Sequence, residues 1–228
     1  MGDLKVRLEN GTPGATIARG RNDLIIVVDA LRASTTITSA LAAGIGSVRP
    51  VRTPEECVGA LTAGERFGRK LDGMTYDNSP CAFHERQFNG ENLVMTTTNG
   101  TACIQESALG EGPVLIGCLA NAQAVADYSE AHREGRDISI VMAGRRGELA
   151  PEDLFAASAI AEALTDCEVV GEIEPVSLDR PDRAFLTSPS GANLVALGRE
   201  DDVRFCMRMN IFDVVPRYDA DGCLRAAR

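Results

Sequence analysis

What the chain has little of narrows it first. Of 228 residues only two are histidine, His84 and His132, and neither follows a strand-like run. Histidine-phosphatase chemistry and multi-histidine metal sites are therefore disfavoured. The seven cysteines (Cys57, Cys81, Cys103, Cys118, Cys167, Cys206 and Cys223) are odd in number and contain no C-x-x-C. That argues against a disulfide framework and against a zinc site. Lysine and arginine total 23 against 33 acidic residues, a net charge of −10, which excludes a broad nucleic-acid surface. No apolar run approaches the roughly 18 residues that cross a bilayer. The opening "MGDLKVRLENG" has no apolar core of a leader peptide, and free thiols in this number suit a reducing compartment. A cytoplasmic protein without a membrane partner is expected. Familiar phosphate motifs are also missing. There is no G-x-x-x-x-G-K-[ST], and "GIGSVR" at 44–49 lacks a third glycine and follows a helical pattern. No second Asp stands two residues after Asp29.

What is present reads as a globular α/β chain. Its 44% apolar and 25% charged residues suit a chain that buries roughly 70% of its unfolded surface. Strand patterns at Leu24–Val28, 48–51, 92–98, 113–117 and 137–144 alternate with helical ones at 35–43, 53–68, 100–110, 121–135 and 150–164. Pro50 marks the second strand as an edge. Thr53, Pro54 and Glu56 form the capping signature of the helix at 53–68, and Asn121 is placed to cap another. Helices are expected over 188–198 and 199–209, and a terminal hairpin around "DADG". The fold expected is α/β, a mostly parallel or mixed sheet flanked by helices, in one domain over 1–228 with room for two lobes. No internal repeat is seen. Residues 67–92 have little periodicity, and loops this long are commonly functional; 171–187 is a weaker excursion of the same kind.

Four strands end in polar clusters. Ligands in open parallel sheets bind beyond such strand ends, so the clusters share one rim if the strands are parallel. The first holds Asp29, Arg32, Ser34 and Thr35; the second is "TTTNGT" at 96–101. The third gives Cys118 and Asn121, and the fourth Arg145, Arg146, Glu148, Glu152 and Asp153. Arg32, Arg145 and Arg146 offer planar donors for phosphate or carboxylate. Asp29, Glu152 and Asp153 could hold Mg²⁺ through one or two carboxylates plus water. Together these suggest phosphoryl transfer by charge neutralisation and positioning. Singly, each has a plainer reading: Ser34–Thr36 as a helix cap, Glu152 and Asp153 as first-turn acids, Cys118 as an inert core thiol. Asp29 is hardest to dismiss, because an acid directly after a buried strand needs a partner.

"VVDALRASTTITSALAAG", "DNSP", "TTTNGT", "GCLANAQAVA", "AGRRGELAPEDLFAASAIAEAL" and "SGANLVALGREDDVRFCMRMNIFDVVPRY" resemble, in order, segments of the 2-phosphosulfolactate phosphatase family. The resemblance spans about residues 24–218. It implies a Mg²⁺-dependent hydrolase that cleaves 2-phospho-3-sulfolactate to 3-sulfolactate and phosphate on the route to coenzyme M, and a homodimer. The family's positions fall on Asp29, Arg32, Asn78, Ser79, Thr98, Asn99, Gly100, Thr101, Cys118, Asn121, Gly144, Gly147, Glu152 and Asp153. In "TYDNSP" Asp77 stands where the family pattern leads one to expect glycine. The roles expected are Asp29, with Glu152 or Asp153, for the metal, Arg32 for the reacting phosphoryl group, and Arg145 or Arg146 for the sulfonate or carboxylate. Asn78 and Ser79 should point inward from a lid at 67–92. The nucleophile is water, Asp29 or Cys118, whose thiol should be lowered at a strand-to-helix turn. Hydrolysis of another phosphorylated hydroxy-acid and non-catalytic binding of a small anion are the alternatives.

Overall fold

The computed structural model describes residues 4–227; Arg228 and the first three residues of the stretch read above for a leader lie outside the described residues. The chain opens with β1 (Leu4–Asn10), α1 (Gly11–Gly20), β2 (Leu24–Val28), α2 (Ala33–Ala42) and β3 (Ser47–Pro50). It continues with β4 (Leu61–Arg66), β5 (Arg69–Lys70), α3 (Pro80–His84), β6 (Asn92–Thr96), α4 (Gly100–Ser107) and β7 (Val114–Gly117). Next come α5 (Ala122–His132), β8 (Ile138–Met142), α6 (Pro151–Ala163) and β9 (Cys167–Val169). Helices α7 (Pro181–Leu186), α8 (Pro189–Ala196) and α9 (Glu200–Cys206) then lead to the hairpin β10 (Pro216–Tyr218) and β11 (Leu224–Ala226).

Among the described residues the strands form one mixed sheet in the order β5-β4-β6-β3-β11-β10-β7-β2-β8-β1-β9. Strand β2 shows why its sequence is apolar throughout. Leu24, Ile26 and Val28 enter a core with Ile140, Phe155, Ile160 and Phe185. Ile25 and Val27 enter another with Ile37, Leu93, Met95 and Ile116. A strand covered on both faces has no polar face to show. Each such side chain contributes about 1.5–3 kcal/mol on burial.

The hairpin lies in the middle of the sheet. Strand β10 runs antiparallel to β7 and β11 antiparallel to β3, each through a single residue pair, Arg217 with Leu115 and Leu224 with Val48. Strands β3, β4 and β6 are mutually parallel, and so are β1, β2, β7, β8 and β9. Passing through an antiparallel hairpin antiparallel to both neighbours reverses direction, so the two sets run oppositely. The expectation that the strand before Thr97 is parallel to those before Asp29, Cys118 and Gly144 is thus corrected.

Three other readings change. Pro50 is not at an edge, because β3 lies between β6 and β11. It is tolerated because β11 meets β3 only at Val48, so no ladder partner awaits a Pro50 amide. The capping box of Thr53 and Glu56 does form, but it closes one 3₁₀ turn at Pro54–Glu56, and the predicted helix is instead β4, paired with β6. A helix there would hold Gly59 and Gly64 inside it, at about 1 kcal/mol each. Pairing buries Thr62, Ala63 and Gly64 instead. Third, β1 and α1, which the reading above left unassigned, supply one of the inner strands. Residues 67–92 contain β5 and α3 and are ordered, with Asp77, Asn78 and Ser79 buried.

Leu224 is fully buried at the junction of the two strand sets, among Val48, Leu93 and Ile116. Leu224→Ala should lower unfolding free energy by about 2–5 kcal/mol. Urea denaturation followed by circular dichroism will measure the midpoint. A change below about 1 kcal/mol would show that the hairpin is not a working joint of the sheet.

Candidate active site

At the end of β2 the chain leaves the core, and its hydroxyls serve the turn itself. Ser34 Oγ accepts the Asp29 amide at 2.8 Å and donates to the Val27 carbonyl at 3.3 Å. Thr35 Oγ1 donates to the Ala30 carbonyl at 3.2 Å. Both residues are buried, so Ser34 and Thr35 shape the turn rather than face a ligand. The Leu31–Arg32 peptide bond in this turn is cis. Asp29 is left facing outward, its Oδ1 accepting the Ala33 amide at the start of α2.

Asp153, in the first turn of α6, braces this turn from behind. Its two carboxylate oxygens accept the amides of Ala30 at 2.7 Å and Gly144 at 2.9 Å, one from each of the adjacent ends of β2 and β8. Glu152 is buried beside it, with Oε2 lacking a hydrogen-bond partner. Gly100, the first residue of α4, closes the other flank. A Cβ there would lie 2.5 Å from Asp29 Oδ2 and 2.8 Å from Ala33 Cβ, so only glycine fits.

The end of β6 reaches the same place from the opposite strand set. Thr97 and Thr101 each donate a backbone amide to the other's hydroxyl oxygen at 3.2 Å and stay buried. Thr98 turns to Glu65 at the end of β4. Glu65 Oε1 accepts the Thr98 amide at 2.8 Å and hydroxyl at 3.0 Å, and Oε2 accepts the Gly68 amide at 2.7 Å. Glu65 was not singled out in the sequence because it sat inside the segment read as a helix. The signal that could have found it is the glycine-flanked "AGERFG", which suits a strand and tight turn better than a helix.

These elements enclose a cleft lined by Asp29, Arg32, Glu65, Phe67, Asn78, Thr98, Asn99, Arg145 and Arg146, with Ser190 and Asn193 of α8 closing one side. Its floor is acidic. Burial, and then the charges of Glu65 and Glu152, push the Asp29 carboxyl up to about 7, against amide hydrogen bonds from Ala33 and Gly100. Asp29 is half-buried and keeps an edge open to the cleft. Burial and the neighbouring Asp29 and Glu152 also raise Asp153 well above the usual carboxylate range.

The arginines divide into two kinds. Arg32 is almost fully buried, with Nη1 2.7 Å from Asp202 Oδ2 of α9 and Nη2 3.2 Å from Asp77 Oδ1. Arg199 sits 2.9 Å from the other Asp77 oxygen, and Ser79 donates to Asp202 Oδ1 at 2.6 Å. Arg32 borders the cleft, but its charge is matched by two acids, so it pins α9 and the 67–79 segment together. Asp77 is neutralised in the same network rather than adding charge to the cleft. Ser79 caps α3 by accepting the Ala82 amide, so it does not point inward, whereas Asn78 lines the cleft. Arg145 and Arg146, on the tight turn closed by the Arg145 and Glu148 backbones, form no ion pair among the described residues.

Cys118 and Asn121 are not in the cleft. Asn121 Oδ1 accepts the Cys118 amide at 2.9 Å, and its Nδ2 donates to the Ile116 and Val214 carbonyls. Asn121 does not cap α5 with its side chain; Asn210 Oδ1 accepts the Gln123 amide instead. Burial pushes the Cys118 thiol up, opposite to the lowering expected at a strand-to-helix turn. Thr101 is likewise internal. Among the described residues all seven cysteines are free, and no helix is long and apolar enough to cross a membrane.

The fold and cleft define a mixed-sheet α/β protein with an acidic floor under unpaired arginines. Residues 12–221 match the 2-phosphosulpholactate phosphatase family, and the chain belongs to it. It is 40% identical over 206 residues to the 2-phosphosulfolactate phosphatase of Methanothermobacter thermautotrophicus, with 86% of each chain covered. It is 33% identical over 226 residues to a probable 2-phosphosulfolactate phosphatase of Caldanaerobacter subterraneus subsp. tengcongensis, covering 90% of each. A third relative, from a Synechococcus species and bearing the same probable name, is 34% identical over 230 residues, covering 91% of this chain and 93% of its own.

The carboxyl of Asp29 titrates higher folded than unfolded, so the folded state holds a proton that the unfolded state has released above about pH 4. That contribution to stability is present below about pH 4 and is lost as pH rises towards 7. Asp29→Asn should therefore unfold at higher urea than the parent protein at pH 8 in EDTA, and the gap should close by pH 4. Equal midpoints at pH 8 would mean that Asp29 is not held against its charge.

Proposed function

We propose that this protein hydrolyses 2-phospho-3-sulfolactate to 3-sulfolactate and phosphate. The observation that carries the reading is the opposition of Asp29 and Glu65 to the unpaired Arg145 and Arg146 across one cleft, in a chain of this family. The substrate carries phosphate, sulfonate and carboxylate, and a chain of net charge −10 needs local cations to attract it. Arg145 and Arg146 receive the anionic groups. Water is the nucleophile, because the Cys118 thiol is buried away from the cleft. Asn78, Thr98 and Asn99 contact the ligand, and α8 limits the entry of bulk water.

Mg²⁺ is proposed as the cofactor, and the donors present fit it. They are hard carboxylate oxygens, one of them the orphaned Oε2 of Glu152, and a divalent cation would relieve the repulsion around Asp29. Asp29 and Glu152 would hold it. Asp153 already gives both oxygens to backbone amides. Among the described residues no three His, Cys, Asp or Glu side chains gather closely enough to enclose an ion. Mg²⁺ commonly takes one or two carboxylates and completes its shell with water and phosphate. When bound it would offset phosphoryl charge and favour ionisation of water. A homodimer, a cytoplasmic location and a place in coenzyme M formation complete the proposal.

Phosphate release from 2-phosphosulfolactate should require Mg²⁺, cease in EDTA, and fall at least 100-fold in Asp29→Asn. Arg145→Ala should act mainly by raising KM. No release from this substrate or other phosphorylated hydroxy-acids, with metal present, would instead favour an anion-binding protein. Cys118→Ser should keep most of its turnover; near-complete loss with binding intact would make the thiol the nucleophile.

A further inference from the structure

Phe67 has no packing reason to be where it is. The residue is 64% exposed, on a chain with few aromatics and a well-filled core. Its backbone adopts φ +55°, a conformation that non-glycine residues seldom adopt. Three neighbours hold that turn. The Phe67 amide donates to Thr98 Oγ1 at 3.2 Å, Asn193 Nδ2 donates to the Phe67 carbonyl at 3.1 Å, and the Gly68 amide donates to Glu65. The backbone that carries the ring is thus fixed in the β4–β5 turn, and Phe67 lines the cleft.

Across the mouth stands Arg146. It too is exposed and left-handed, at φ +54°, and its guanidinium carbon lies 6.0 Å from the centre of the Phe67 ring. That is the outer range of a cation–π contact. The contrast with Arg32 is instructive. Two carboxylates place Arg32 and also cancel its charge. A neutral ring can orient an arginine and leave its charge and most of its N–H groups free for an anion.

Resting on the proposed function, we infer that Phe67 is a positioning residue for Arg146, and that the two together receive the acidic end of the substrate that does not react. Arg146, on a flexible stem in a tight turn, would otherwise sample many rotamers and lose entropy on binding. The aromatic face reduces that loss without screening the charge. Phe67 therefore acts on affinity for the sulfonate or carboxylate rather than on the chemistry at phosphorus.

The test is a double-mutant cycle on Phe67 and Arg146, read by calorimetric titration with 3-sulfolactate and by KM and kcat for phosphate release from 2-phosphosulfolactate. Phe67→Ala should weaken 3-sulfolactate about three- to fivefold, the size of an exposed cation–π contact, and raise KM more than it lowers kcat. In the Arg146→Ala background the same change should have no further effect. Phe67→Trp should bind as well as the parent protein, whereas Phe67→Leu should behave like Phe67→Ala. The inference falls if the two losses multiply, if Phe67→Leu binds as tightly as the parent, or if the parent protein does not bind 3-sulfolactate. Phosphate release by the parent protein separates the two levels. Release with unaltered Phe67 variants sinks only the role of Phe67, while absence of release sinks the proposed function.

Discussion

One carboxylate ties together the two strand ends on which the cleft depends. Asp153 meets no cation among the described residues; it is satisfied by one amide from the end of β2 and one from the end of β8. Those two ends carry Asp29 and the Arg145–Arg146 turn, so this side chain extends the β2–β8 pairing into the loops that bear the acidic floor and the basic wall. The arrangement has an electrostatic cost, since the charges of Asp29 and Glu152 add to burial in making Asp153 harder to ionise. An acid buried for structural reasons would be better served by a cation. Repulsion kept in place beside an open cleft is the pattern of a functional site.

The same economy appears in the arginines. Where a guanidinium must organise the fold, as at Arg32, acids surround it and its field ends within a few ångströms. Where positive potential must reach solvent, as at Arg145 and Arg146, no acid among the described residues comes within ion-pair distance. The overall acidity of the chain and the basic mouth of the cleft are therefore compatible, because it is pairing, and not composition, that decides where charge is felt.

Much of the alternating fold was legible because buried strands and capped helices leave local patterns. "LIIVV" could only be a strand covered on both faces, and "APEDLF" carried its own helix start. What was missed depended on distance along the chain. Thr53 and Glu56 formed their cap as read, yet the segment after them became β4, because the edge of β6 was free to pair. Glu65 was lost with that helix. The alternation of Leu4, Val6 and Leu8, all buried in β1, was present in the sequence and was passed over. At the site, the residue types at strand ends pointed to several residues that line the cleft, but not to which of the others turn away from it. Ser34, Thr35, Thr101 and Asn121 look like binding groups by type; in place, they satisfy the backbone of their own turns. Nothing local distinguishes a hydroxyl that serves a turn from one that serves a substrate. The partners of Arg32, at Asp77 and Asp202, lie 45 and 170 positions away, beyond the reach of any spacing rule.

The position of the hairpin bears on how the chain is made. Strands β10 and β11 follow all the others in sequence yet fill the centre of the sheet. During synthesis, β3 and β7 emerge with one edge each that no earlier strand will cover. Such edges invite pairing with other chains. The nascent protein must carry two half-sheets, each able to hold its own helices, until residues 216–226 leave the ribosome and join them. Chaperone protection at that stage, more than the stability of the finished fold, would then govern how much protein a cell recovers.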